Sequence, residues 1–248
     1  MKILVCISSV PDTTSKINFT DENRKFDTTG VQFIINPSDE FGLTKAILLK
    51  EKLGASITLI NVGTAETEPT LRKAFALGAD EIIRINAVAT DGFFVASQIA
   101  KIAREGAYDL IITGKESIDY NGGMVGATIA ALLDVPFIDK CVSLEIDANS
   151  ATSVREVESG KETVTAQLPL VVAGQKGLVE EKDLRIPNMR NLMAARTKQI
   201  TVIETENTAT HTTPVAFEKL PAKQAVKMIS PDNLDQLIDL LHNEAKVI

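Results

Sequence analysis

Short, almost wholly apolar runs alternate with longer amphipathic ones over the first 135 residues of the chain. The apolar runs are KILVCIS near the start, SITLINV (Ser56–Val62), EIIRIN (Glu81–Asn86) and DLIITG (Asp109–Gly114). Runs this short and this apolar predict strands covered on both faces, the pattern of a parallel sheet. Between them, three segments repeat apolar residues at helical spacing. The first spans Asp39 to Leu53, with Ser38 as predicted N-cap, Leu43, Ala46 and Ile47 on one face, and Gly54 as the stop. The second spans Glu68 to Leu77 and ends at Gly78, while the third runs from Gly92 to Arg104, opened by Asp91 and closed by Gly106. Strand–helix alternation at these lengths predicts an open, mainly parallel, Rossmann-like α/β sheet with right-handed crossovers. The segment INFTDENRKFDTTGVQFIINP, between the first strand and the first helix, predicts a small hairpin.

After Leu133 the pattern changes. CVSLEID, ATSVREV, KETVTAQL and PLVVAG alternate at period two or read as short strands, which predicts antiparallel edge strands added to the sheet. Beyond ITVIE lies TENTATHTTP, a threonine-rich polar run with the composition of a linker. The chain therefore divides into an α/β domain over 1–204 and a linker with a C-terminal arm over 205–248. The arm ends in a helical pattern with Ser230 as predicted N-cap, Pro231 at N1, and Leu234, Leu237, Ile238 and Leu241 on one stripe. Such a stripe needs a partner surface, either on its own domain or on another chain. DLRIPNMRNLMAARTKQI poses a similar question, because it sets Ile186 and Met189 on a loop flanked by Arg185, Arg190 and Arg196. Loops run over the surface, so these apolar residues either tuck back under the loop or are offered to something else.

Composition narrows the classes of function. The formal net charge is −7 over 248 residues, with no basic tract to neutralise a phosphate backbone, which argues against nucleic-acid binding. No window approaches the roughly 18 apolar residues of a membrane span, so no membrane insertion is expected. The opening MKILVCISSVPD has no small-residue cleavage site after its apolar run and reads as a buried strand rather than a signal peptide. Cys6 and Cys141 both fall in strand-like runs, as reduced core thiols of a cytoplasmic protein would. His211 and His242 stand in no metal-ligand or nucleophile–base spacing, so neither a zinc site nor a hydrolase triad is expected, and no catalytic residue is assigned.

In an open parallel sheet, ligands bind beyond the carboxyl ends of the strands, at loops that enter helices. Three loops qualify: INPSDE (Ile35–Glu40), NVGTAE (Asn61–Glu66), whose glycine lets backbone approach a ligand, and TGKESIDYNGGMVGATIA (Thr113–Ala130). In the third, Gly122, Gly123 and Gly126 precede or open a helix whose N–H groups and positive dipole end would face a phosphate. Asp119 is placed to accept from a ribose hydroxyl. Gly123-Met124-Val125-Gly126 matches only part of a dinucleotide fingerprint, and no Gly-Lys-Ser/Thr follows to make a P-loop.

Over nearly its full length the chain resembles the beta subunit of electron transfer flavoproteins. The resemblance is carried by KILVCISSVPDTT, INPSDEFGLTKAILLKEK, LRKAFALGADEIIRI, GKESIDYNGGMVGATIAALLDVP, VREVESGKETVTAQLPLVVAG and LRIPNMRNLMAARTKQI, in that order. It implies an adenine nucleotide alpha hydrolase-like domain in a heterodimer, with FAD held mostly by an alpha subunit and a buried AMP in this chain. It also implies an electron carrier without substrate turnover of its own, passing electrons from acyl-CoA dehydrogenases to a quinone oxidoreductase. The implied AMP contacts fall at Cys6, on Asn36, Pro37, Ser38 and Asp39, at Val62, and on Asp119, Asn121, Gly122, Gly123, Met124, Val125, Gly126, Ala127 and Thr128. Thr13 and Ser38 would lie near FAD. Arg185, Ile186, Pro187 and Met189 match the family's partner-recognition loop, with Met189 in the place of its anchor leucine and able to fill an apolar pocket.

The nucleotide loop departs from the family pattern at Asn121 and Met124, which keeps a second FAD, as in flavin-bifurcating relatives, as the alternative to AMP. A stand-alone adenine-nucleotide-binding protein would explain the glycine loop but neither the apolar loop nor the arm. An ATP-pyrophosphatase-type ligase needs a Ser-Gly-Gly-type loop after the first strand, where this chain has ISSVPDTT.

Overall fold

The computed structural model describes residues 1–205, 208–221 and 225–248, so residues 206–207 of the expected linker and 222–224 of the expected arm lie outside it. The chain opens with β1 (Lys2–Cys6), followed by β2 (Ser9–Pro11), β3 (Phe19–Thr20), β4 (Lys25–Phe26) and β5 (Phe33–Ile35). Then come α1 (Pro37–Leu53), β6 (Ser56–Val62), α2 (Glu68–Ala76), β7 (Glu81–Asn86), α3 (Gly92–Gly106), β8 (Leu110–Gly114) and α4 (Val125–Leu133). The remainder is β9 (Phe137–Asp147), β10 (Ser150–Val157), β11 (Gly160–Gln167), β12 (Leu170–Gly174), α5 (Met189–Thr197), β13 (Thr201–Glu204) and α6 (Leu234–Asp239). Nine strands make one sheet in the order β11-β10-β9-β12-β8-β1-β6-β7-β13, parallel from β9 through β13 and antiparallel only at β9-β10-β11.

Alternate residues of β1 feed two cores. Ile3 and Val5 join α1 and α2 on one face, with Leu43, Ala46, Ile47 and Leu71. Leu4 and Cys6 join α3 and α4 on the other, with Phe94, Ile99 and Ile129. Side chains on successive strand positions point to opposite faces, so a strand buried on both sides must be apolar throughout. Each fully buried Leu or Ile contributes about 1.5–3 kcal/mol through loss of contact with water. Helix α1 lies close on β8: a Cβ at Gly42 would stand 2.8 Å from Ile112 Cγ2. Its end is the expected one, with Gly54 in the left-handed region at φ 69°.

Several sequence expectations are corrected. Helix α1 begins two residues early, at Pro37, with Asn36 rather than Ser38 at the cap position, since proline suits the first helical turn. Asp91 does cap α3, accepting from Phe94 N–H at 2.7 Å, but the left-handed residue that closes this helix is Ala107 rather than Gly106. PLVVAG is no edge strand: β12 is buried throughout and lies between β8 and β9, parallel to both. The insertion forms two small pairings, β3 with β4 and β2 with β5. The terminal helix is capped by Asn233, whose side chain accepts from Gln236 N–H, while Ser230 and Pro231 form a turn before it.

Candidate functional site

The order of strands reverses between β1 and β8. β1 leads outward to β6 and β7, whereas β8 leads to β12 on the other side. The carboxyl ends of the strands flanking such a reversal open a crevice that loops can line. Here those loops are the turn after β1, the start of α1, and residues 115–124 between β8 and α4.

Asn36 ties the three together. It is buried, its backbone N–H donates to Ser8 O, and its Nδ2 donates to Asp39 Oδ1 (3.1 Å) and to Glu116 O (2.8 Å). Its Oδ1 accepts from Ile118 N–H at 3.2 Å. Asp39, one turn into α1, is buried as well, and its Oδ2 accepts from Ser8 N–H at 2.7 Å. Burial pushes the Asp39 carboxyl up to about 7, against the pull of donors on Ser8, Asn36 and Gly114. Burial, and then the Asp39 charge, also push the Cys6 thiol far above its usual range, so it is an inert neutral group at the end of β1. A Cβ at Gly114 would stand 2.3 Å from Asp39 Oδ1 and 2.9 Å from Ser38 Cβ, so only glycine lets β8 end against this pair.

The 119–128 segment forms the outer wall. Asp119 is exposed and its Oδ1 accepts from Tyr120 N–H (2.9 Å), which leaves its other oxygen for a ligand. The left-handed residue of this turn is Asn121, at φ 50°, whereas Gly122 and Gly123 have ordinary negative φ. Gly122 bridges back to Ser117. Met124 precedes α4, and the helix start carries no side-chain cap. Val125, Gly126, Ala127 and Thr128 make the first turn, with Gly126 buried and Ala127 exposed. A Cβ at Gly126 would lie 2.7 Å from Thr113 Oγ1. That hydroxyl is buried and has no hydrogen-bond partner among the described residues, a position at odds with the rule that buried polar groups are paired. The sequence does not mark Thr113, because a threonine ending an apolar strand is ordinary.

Two other predicted positions stand apart. Val62 ends β6, one strand beyond β1, and the glycine after it serves its own loop. A Cβ at Gly63 would clash at 2.6 Å with Asn61 Oδ1 and Thr67 Cγ2, which are joined by the Thr67 hydroxyl at 2.8 Å. Gly63 thus has a packing reason to be glycine. Thr13 is exposed on the turn after β2, beside Asp12, which accepts from both N–H and hydroxyl of Thr14.

A different surface is formed around α5. Arg72 on α2 donates to Ala195 O (2.7 Å) and Lys198 O (2.8 Å), pinning the far end of this helix. Its near end projects outward. Met189 is the first helical residue rather than a loop residue, with Asn188 as cap accepting from Asn191 N–H. Ile186 is 90% exposed, Met189 73% and Met193 61%, while Pro187 is half-buried. These side chains do not tuck under their loop. Arg185 pairs with Glu51 at 2.7 Å; a shallow hollow of about 350 Å³ lies between this loop and Leu48 of α1, and another of about 450 Å³ lies between α1 and Glu145 of β9. Among the described residues, no His, Cys, Asp and Glu group is placed to hold a metal ion, and no helix is long and apolar enough to cross a membrane.

Comparison with known proteins decides the family. Residues 24–208 match the electron transfer flavoprotein domain. The chain is 33% identical over 262 residues to "Electron transfer flavoprotein subunit beta" of Bacillus subtilis, covering all of both chains. It is 32% identical to the mitochondrial beta subunit of Arabidopsis thaliana, again over the whole of both, and 31% identical to that of Bos taurus over 82% of this chain and 81% of the relative. The chain belongs to the beta-subunit family of electron transfer flavoproteins. The resemblance seen in the sequence is thereby established. Electron transport by a flavoprotein is the activity the family carries, and its subunits act as carriers rather than as classical enzymes. The domain match takes in both the cradle at Asn36 and the Met189 surface, and the full-length relatives extend the likeness through the tail.

Proposed function

We propose that this chain is the beta subunit of a heterodimeric electron transfer flavoprotein. It accepts electrons from acyl-CoA and related dehydrogenases and delivers them to a quinone oxidoreductase, with FAD shared with an alpha subunit and AMP held in the cradle. The observation that carries the nucleotide assignment is the unpartnered, buried Thr113 hydroxyl beneath the uncapped start of α4. An uncapped helix start and orphaned donors suit a phosphate. The residues fit an adenine nucleotide. Val125, Gly126 and Ala127 would offer N–H groups to its phosphate, and Asp119 a carboxylate oxygen to its ribose. Asn36, Pro37, Ser38 and Asp39, with Cys6, Val62 and Asn121 to Thr128, would line the remainder. AMP then acts as a structural ligand that stabilises the native state by mass action. FAD, when bound, would supply the redox chemistry, and Thr13 and Ser38 are the residues proposed to border it.

Two exposed apolar features support the subunit role. Leu234 and Ile238, and in part Leu237, leave the stripe of α6 exposed among the described residues, as an arm that docks on an alpha subunit would. Ile186, Met189 and Met193 form a ridge fitted to a dehydrogenase pocket, with Arg190 and Arg196 to orient the encounter. The division into a 1–204 domain and a 205–248 arm belongs to the same proposal, as does a cytoplasmic location, which the free buried thiols of Cys6 and Cys141 suit. Co-expression with a flavin-binding alpha subunit tests the assignment: a yellow heterodimer is expected, and the isolated chain should bind FAD poorly. Tight stoichiometric FAD binding by the isolated chain would contradict it.

A further inference from the structure

The segment beyond β13 is tied to its own domain on α3, where Gln98 Nε2 also donates to Thr208 Oγ1 (2.8 Å), and at the β3–β4 hairpin. At the first, Asp91 uses both carboxylate oxygens. Oδ1 accepts from Phe94 N–H and caps α3, while Oδ2 accepts from His211 N–H (2.5 Å) and Thr212 N–H (2.9 Å). The His211 ring stands edge-on to Phe93, with centroids 4.4 Å apart. Donation from the Phe94 amide, and then from those of Thr212 and His211, holds the Asp91 carboxyl below its usual range. At the second place, Phe217 stacks on Phe19 of β3 with centroids 5.0 Å apart. Its N–H donates to Asn23 O at 2.7 Å, and Lys219 Nζ donates to Asn18 Oδ1 at 2.8 Å. The α3 start and the β3–β4 hairpin both follow carboxyl ends of strands, and Phe217 lies five residue steps beyond Thr212. Those five reach roughly 17 Å when extended.

We infer that residues 208–219 are a strap clasped at two independent points, with Asp91 as the latch at one and the Phe19–Phe217 stack as the other. A single carboxylate thus joins the start of α3 to the tail. Gly92, the next residue, lies so close to Met124 that a Cβ there would stand 2.7 Å from Met124 Cγ, so the latch adjoins the wall of the cradle. A doubly clasped strap holds the tail to one path as far as Lys219, which would limit where the α6 stripe can be offered. That use rests on the tail being a partner arm; the clasp itself does not.

Asp91→Asn separates the two jobs of the carboxylate. Asparagine caps a helix through its carbonyl oxygen as well as aspartate does, but its amide nitrogen cannot accept from His211 and Thr212. Amide hydrogen exchange on the full-length chain is the readout. In Asp91→Asn, exchange at His211 and Thr212 should quicken by about tenfold with the Phe217 amide unchanged, since exchange reports local opening. The melting temperature should hold. Asp91→Ala should give the same exchange and a lower melting temperature, because the cap is lost too. Phe217→Ala should loosen its own end and leave His211 and Thr212 protected. Wild-type exchange rates at His211 and Thr212 in both Asp91 variants would overturn the latch. If Phe217→Ala released both ends together, the clasps would not be independent.

Discussion

The cradle at Asn36 and Asp39 and the ridge at Ile186, Met189 and Met193 invert the usual placement of side chains in opposite senses. In the cradle, an amide and a carboxyl are taken out of water and every polar atom of Asn36 is matched to a neighbour. On the ridge, three large apolar side chains are left mostly in water among the described residues. Burying polar groups is usually tolerated only when they are bonded, and the Thr113 hydroxyl beside the cradle, like that of Ser153 on β10, has no partner among the described residues. An exposed apolar cluster gains nothing by folding and points to a missing partner. The first region is expected to fail through stability when altered, the second through recognition.

The largest effect is expected in the cradle. Asn36→Ala removes three buried side-chain hydrogen bonds and strips Asp39 of a donor, so it should cost about 3 kcal/mol or more in chemical denaturation. Asp39 adds a pH signature. Its folded carboxyl holds a proton up to about 7, whereas the unfolded one releases it near 4. Between those limits the native state binds more protons, so this group's contribution to stability falls as pH rises, then levels off above about 7. Subtracting the stability of Asp39→Asn from that of the wild type at each pH should show that decline. A flat difference from pH 4 to 7 would mean the carboxyl is already ionised in the fold.

On the ridge, Met189→Ala should slow reduction by a partner dehydrogenase by more than about tenfold, the usual cost of truncating a central anchor. Melting temperature and FAD content should barely change, because the residue is 73% exposed. Lost stability with intact electron transfer would reverse the comparison. The smallest effect carries both regions' logic at one atom. Thr113→Val deletes an unpaired hydroxyl, so the nucleotide-free chain should gain about 1 kcal/mol while the nucleotide content of purified protein drops. A loss of stability without nucleotide would show that the hydroxyl is bonded within the fold.

Much of the fold was legible in the chain. Ser56–Val62 and Glu81–Asn86 are strands residue for residue, since both are apolar runs bounded by polar or glycine residues. β12 was misplaced because five consecutive apolar residues carry no periodicity and give neither direction nor neighbours. The loops of the cradle were visible from their glycines and helix starts. Its organising contacts were not, because Asn36 reaches Glu116 and Ile118 across some 80 positions. The latch was hidden for the same reason: Asp91 reads as a plain helix cap until His211, 120 residues away, is placed beside it.

The central claim, that a nucleotide completes the cradle while flavin is shared with a partner, is tested most directly by counting what the complex holds. Acid denaturation of the purified heterodimer, followed by chromatography of the supernatant, should release one FAD and one AMP per complex. Two FAD and no AMP would contradict the account and assign the cradle to a second flavin.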